Sequence, residues 1–65
     1  MKFREVDRLL RSNGWILVRI NGSHHQYKNS GVNFVATVPN HSGKDISIGV
    51  MESLEKGTGL SLVKR

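Results

Sequence analysis

Between residues 3 and 10 the apolar side chains fall at Phe3, Val6, Leu9 and Leu10, with charged residues between them, which is the spacing of one helix face. Asn13-Gly14 then supplies residues suited to a helix end, so the helix is predicted to stop there. At Trp15 the period changes. Ile16, Val18 and Ile20 alternate with Leu17 and Arg19, a β-branched run that predicts a strand, and Ser23 to Lys28 reads as its returning partner. Asn21 and Gly22 lie between them as the predicted two-residue turn, because a type I′ turn needs positive φ at both central residues. Asn29 to Asn33 is turn-like, and Phe34 to Val38 predicts a third strand stopped by Pro39. Beyond a polar loop, Ser47 is placed to cap a second helix with Ile48, Met51 and Leu54 on its inner face. Gly57 and Gly59 should end that helix, Leu60 should fold back on the core, and residues 62–65 read as a tail.

The predicted order is α-β-β-β-α. Helices on one face of a three-stranded antiparallel sheet form a two-layer α+β sandwich, and the other sheet face is left for solvent or a partner. With no repeat, linker or low-complexity stretch, residues 1–65 read as one domain, small enough that its core folds only marginally.

With Asn21 and Gly22 in the loop, Ile20 opposes Ser23, Arg19 opposes His24, Val18 opposes His25 and Ile16 opposes Tyr27. Directly opposed residues share a sheet face. The apolar set Ile16, Val18 and Ile20 should face the helices and bring His25 and Tyr27 with it. His24, Gln26 and Lys28 then lie on the open face with Arg19. His25 is thus expected as a packing or hydrogen-bonding group at the core boundary. His24 is either an ordinary exposed imidazole or a general acid–base, since imidazoles exchange protons near neutral pH.

Charge narrows the partner. Ten Lys and Arg against five Asp and Glu give a net charge of +5, which suits a polyanion such as nucleic acid or an acidic protein, or serves solubility alone. Cations beside His24 would fit a phosphate substrate, because they offset charge developing on phosphoryl oxygens. The loop adds His41 and Lys44, and the sequence leaves open whether they reach the same face. Cysteine is absent, which excludes disulfides and thiolate metal sites. The three histidines lack a metal-ligand spacing, so no metal and no cofactor is expected. The apolar runs are too short to span a bilayer and the N-terminus lacks the apolar stretch of a signal peptide, so a cytoplasmic protein without membrane contact is expected.

Gly22-Ser23-His24-His25, followed by Val38-Pro39-Asn40-His41, Lys44-Asp45-Ile46 and Ile48-Gly49, resembles the HicA toxin family. These are small ribonucleases of type II toxin–antitoxin systems. Gly14-Trp15 and Gly59-Leu60 extend the resemblance to nearly the whole chain. It implies a fold similar to the double-stranded-RNA-binding domain and metal-independent cleavage of messenger RNA by His24. It also implies a HicB-type antitoxin that covers the active face, with the toxin a monomer when free and part of a hetero-oligomer when inhibited. Val50 stands where the family usually has threonine, and Gly57-Thr58 where it usually has Gln-Ala, a change expected to weaken the helix end by roughly 1 kcal/mol.

The expected chemistry is that His24 takes the proton of a ribose 2′-hydroxyl, with Arg19 and Lys28 on the phosphate and His41 and Lys44 peripheral to them. Activation of water by His24 is the alternative route. Two other classes remain open: a non-catalytic RNA-binding module held by phosphate contacts, and a structural partner of an acidic protein.

Overall fold

The first helix forms where the apolar period predicts it. In the computed structural model, which describes residues 1–63, α1 spans Phe3–Ser12 and buries Val6 and Leu10 completely. The Glu5 carboxylate accepts the Lys2 N–H at 2.9 Å ahead of the first turn, and the Asn13 amide donates to the Leu9 carbonyl at 2.7 Å at the other end. Three strands follow, β1 (Ile16–Asn21), β2 (His24–Lys28) and β3 (Ala36–Pro39), and then α2 (Ile48–Thr58). The strands form one antiparallel sheet in the order β1-β2-β3. This is the predicted α-β-β-β-α sandwich, the arrangement of the double-stranded-RNA-binding-domain-like fold.

The hairpin departs from prediction in two places. Asn21 remains in β1 and pairs with His24, so the loop residues are Gly22 and Ser23. Gly22 has φ of +62° and no non-glycine residue among the described residues has positive φ, which is the pattern of a type II′ rather than a type I′ turn. Ile20 therefore meets His25, not Ser23, and Arg19 meets Gln26, not His24. The partner moves by two residues, so the face assigned to each histidine is unchanged.

The second departure is a bulge between Leu17 and Arg19. One extra residue, Val18, reverses the phase of β1 beyond it. Leu17 now opposes Tyr27 on the core face, and Ile16 opposes Lys28 on the open one. Ile16, Val18 and Ile20 are 66 %, 52 % and 56 % exposed, contrary to their expected place under the helices. The cause is architectural as well as local: β1 is an edge strand, and the helices pack chiefly over β3.

The core is instead built from Val6, Leu10, Trp15, Tyr27, Val38, Met51 and Leu54, with Ala36, Ile46 and Leu62. Ser47 caps α2 by accepting the Val50 N–H at 3.4 Å, and Met51 and Leu54 turn inward as predicted, but Ile48 is 62 % exposed. Gly57 does not end α2. It lies within the last turn, where a Cβ would overlap the Phe34 ring, and Gly59 is the C-cap. Phe34 in turn meets Trp15 edge-on, with centroids 6.4 Å apart.

The expected tail is also part of the structure up to residue 63. Leu62 is buried, and the N–H groups of Leu62 and Val63 donate to the Glu55 carboxylate at 2.6 and 2.8 Å. Lys64 and Arg65 lie outside the described residues.

Candidate functional site

On the face of the sheet away from the helices, β2 presents His24, Gln26 and Lys28, all in phase. His24 is exposed and stands between Asn21 of β1 and Pro39 of β3. Gln26 stands between Arg19 and Thr37, and Lys28 opposes Ile16.

These registers rank the cations by reach. Arg19 is a diagonal neighbour of His24, and diagonal pairs lie about 7–8 Å apart, within reach of a long side chain. Lys28 is four residues along β2 from His24, roughly 13 Å at the strand rise. Arg19 can therefore serve the same phosphate as His24, whereas Lys28 can serve only a neighbouring one. Asn21, directly across from His24, adds an amide that sequence reasoning had placed in the loop. None of the side-chain hydrogen bonds or ion pairs among the described residues engages His24, Arg19 or Lys28, and all three are exposed.

His25 points the other way. Its ring packs against Phe3 of α1 at 4.7 Å with a 56° tilt, and its Nδ1 is buried without a hydrogen-bond partner among the described residues. Of the two roles expected of it, packing or hydrogen bonding, the ring contact with Phe3 is the packing one. On the same face the buried Tyr27 hydroxyl donates to Asp7 Oδ1 at 2.5 Å, and Arg11 Nε donates to that oxygen at 2.9 Å. Burial pushes the Asp7 carboxyl up, but the hydrogen bonds from Tyr27 and Arg11 and the nearby positive charges outweigh it and hold it below its ordinary value. Burial and then Asp7 push the Tyr27 phenol well above its ordinary value. This network lies under the sheet, away from His24, and its role is to fasten α1 to β2.

His41 and Lys44 do not join the open face. They lie on a turn closed by the Lys44 N–H donating to the His41 carbonyl at 2.9 Å, and the loop leans on the start of α1 through Lys2 Nζ, which donates to the Gly43 carbonyl at 2.7 Å. Lys2, Phe3 and Arg4 form the facing wall of a cleft of about 380 Å³. The sequence carried the signal for this, since Lys2 and Arg4 flank Phe3 on the first turn, but only the fold brings that turn beside residues 40–44. Among the described residues no three His, Cys, Asp or Glu side chains converge in a way that could hold a metal ion. No helix among the described residues is long and apolar enough to cross a membrane.

Comparison with known families gives the class: the protein is a toxin of a bacterial toxin–antitoxin system. Residues 3–60 match the family model described as "HicA toxin of bacterial toxin-antitoxin", and the chain belongs to that family. No curated protein matches the chain. Membership carries with it an antitoxin as partner.

Proposed function

We propose that this toxin is an endoribonuclease that cuts messenger RNA, with His24 as its general base. The observation that carries the reading is the outward position of His24 opposite Asn21 and diagonal to Arg19. His24 takes the proton of a ribose 2′-hydroxyl, and the oxygen attacks the adjacent phosphorus. The bond from phosphorus to the 5′-oxygen breaks, and that oxygen takes a proton from solvent. The products are a 2′,3′-cyclic phosphate and a 5′-hydroxyl. Arg19 and the Asn21 amide offset charge on the phosphoryl oxygens, and Lys28 holds a flanking phosphate. The need for a 2′-hydroxyl confines activity to RNA. A HicB-type antitoxin inhibits by covering this face.

The test incubates the protein with a single-stranded oligoribonucleotide in chelator, beside His24→Ala and a substrate with one 2′-deoxy position. Cleavage with cyclic-phosphate ends, lost in His24→Ala and absent at the deoxy position, supports the reading. Equal cleavage by His24→Ala removes His24 from it. A His24→Ala protein and a wild type that both bind RNA without cutting would instead favour the non-catalytic module.

A further inference from the structure

We propose that the cleft between the first turn of α1 and residues 40–44 is a second RNA phosphate subsite, reached by a strand that bends round the tip of the β1–β2 hairpin. The inference rests on the ribonuclease reading and deepens it, because it specifies that the substrate is single-stranded where it passes the tip.

The cleft is cationic and pre-shaped. Arg4, His41 and Lys44 line it, and none of their side chains is tied up in a hydrogen bond or ion pair among the described residues. Lys2 has a different part. Its ammonium is held by the Gly43 carbonyl at 2.7 Å and by Asp45 at 3.3 Å, so it fixes the loop to α1 rather than meeting a ligand. The Ile46 N–H donates to the Met1 carbonyl at 2.9 Å and adds a second tie. The nearby carboxylates are already engaged: Asp45, which also lines a neighbouring cavity with His41 and Lys44, pairs with Lys2, and Glu5 accepts from the Lys2 backbone. Both line a separate cavity with Ile46, Met51 and Leu62. A concave wall with uncommitted cations on both sides, Arg4 on one and Lys44 on the other, suits a phosphodiester.

The cleft is continuous with His24. The Asn40 N–H donates to the Ser23 carbonyl at 2.7 Å, which joins the end of β3 to the hairpin tip. His24 pairs with Pro39, and His41 follows two residues later. The Cα atoms of the two histidines are thus at most about 13 Å apart, from one cross-strand spacing and two peptide units. Yet His24 faces the open side, whereas the cleft is walled by α1 on the helix side. A strand touching both must turn round the end of the sheet. A single strand can do so over Gly22, whose α-carbon has open space around it, whereas a rigid A-form duplex cannot.

The test uses Arg4→Gln/Lys44→Gln, with Arg8→Gln/Lys56→Gln as a control of equal charge loss on exposed helix positions outside the cleft. Binding is measured in the His24→Ala background with a short fluorescent single-stranded oligoribonucleotide and with the same strand annealed to its complement. Cutting is measured in the wild-type background. The cleft pair should bind the single strand about tenfold more weakly, with a salt slope lower by about 0.7 for each phosphate no longer neutralised. It should raise KM and leave kcat unchanged, and the control pair should do neither. The duplex should bind worse than the single strand and be insensitive to the cleft pair. Equal effects from the two pairs, or an unaltered affinity and slope in the cleft pair, would overturn the subsite. A wild type that binds but does not cut defeats the ribonuclease reading alone, since the binding comparison still decides the cleft.

Discussion

Gly57→Ala sets two rules of opposite sign against each other. By helix propensity the exchange should stabilise α2 by at most about 1 kcal/mol, and by less near a helix end. In the structure the new methyl has no room, because the Phe34 ring lies against the Gly57 α-carbon and is itself braced edge-on by Trp15. The overlap is with the body of an aromatic ring rather than the tip of a flexible chain, so relief requires Phe34 to move off its packing. Overpacking of that kind costs about 1–3 kcal/mol. The net expectation is a loss of about 1–2 kcal/mol, or a fall in Tm of about 4–16 °C in a domain of this size. Urea unfolding followed by Trp15 fluorescence is a direct assay, since Trp15 is the chain's one tryptophan and touches the affected ring. In the Phe34→Leu background the same exchange should be less harmful, with a coupling of at least about 0.5 kcal/mol. A higher urea midpoint for Gly57→Ala alone, or costs that simply add in the double variant, would refute the packing account.

Tyr27→Phe should cost about 1.5–3 kcal/mol at pH 7 by removing a hydrogen bond to a carboxylate, measured by urea midpoint. The Asp7 pKa is lowered in the folded state, so its contribution is complete above the ordinary carboxylate value and is lost as pH falls through the folded one. The gap between wild type and Tyr27→Phe should therefore narrow below about pH 4, and a gap independent of pH would contradict the assignment. Leu62→Ala should cost about 2–5 kcal/mol by thermal melting, because its side chain is 3 % exposed, while a true tail residue would cost nothing. Ser47→Ala should cost about 0.5–2 kcal/mol through loss of the α2 cap, and Ser47→Asp should restore most of it.

Much of the fold was legible because its signals are local. The period at Phe3, Val6, Leu9 and Leu10, the β-branched run before a glycine turn, Pro39 and Ser47 each report their own neighbourhood. The outward position of His24 is legible although the turn falls one residue later than expected, because the resulting pairing error is two residues and preserves the face of both histidines. The bulge at Val18 left no such trace. A run of alternating β-branched residues looks the same whether or not an extra residue is squeezed between two pairs, so the exposure of Ile16 and Val18 is hidden, and that of Ile20 depends on the place of β1 at the sheet edge. Gly57 and Leu62 escape the sequence for a different reason: each answers to partners far away in the chain, Phe34 for one and the core that includes Val6 and Leu10 for the other. The cleft at Arg4, His41 and Lys44 depends on the same kind of long-range meeting.

The placement of Leu62 also sets a timetable for the toxin's birth. Its side chain fills the core and its N–H reaches back to Glu55, so the core is not closed until residue 62 has cleared the ribosome. The hairpin that carries His24 is synthesised early, but the nascent chain lacks the layer that holds it in place. Until residue 62 emerges, the hairpin that bears His24 stands on an open core.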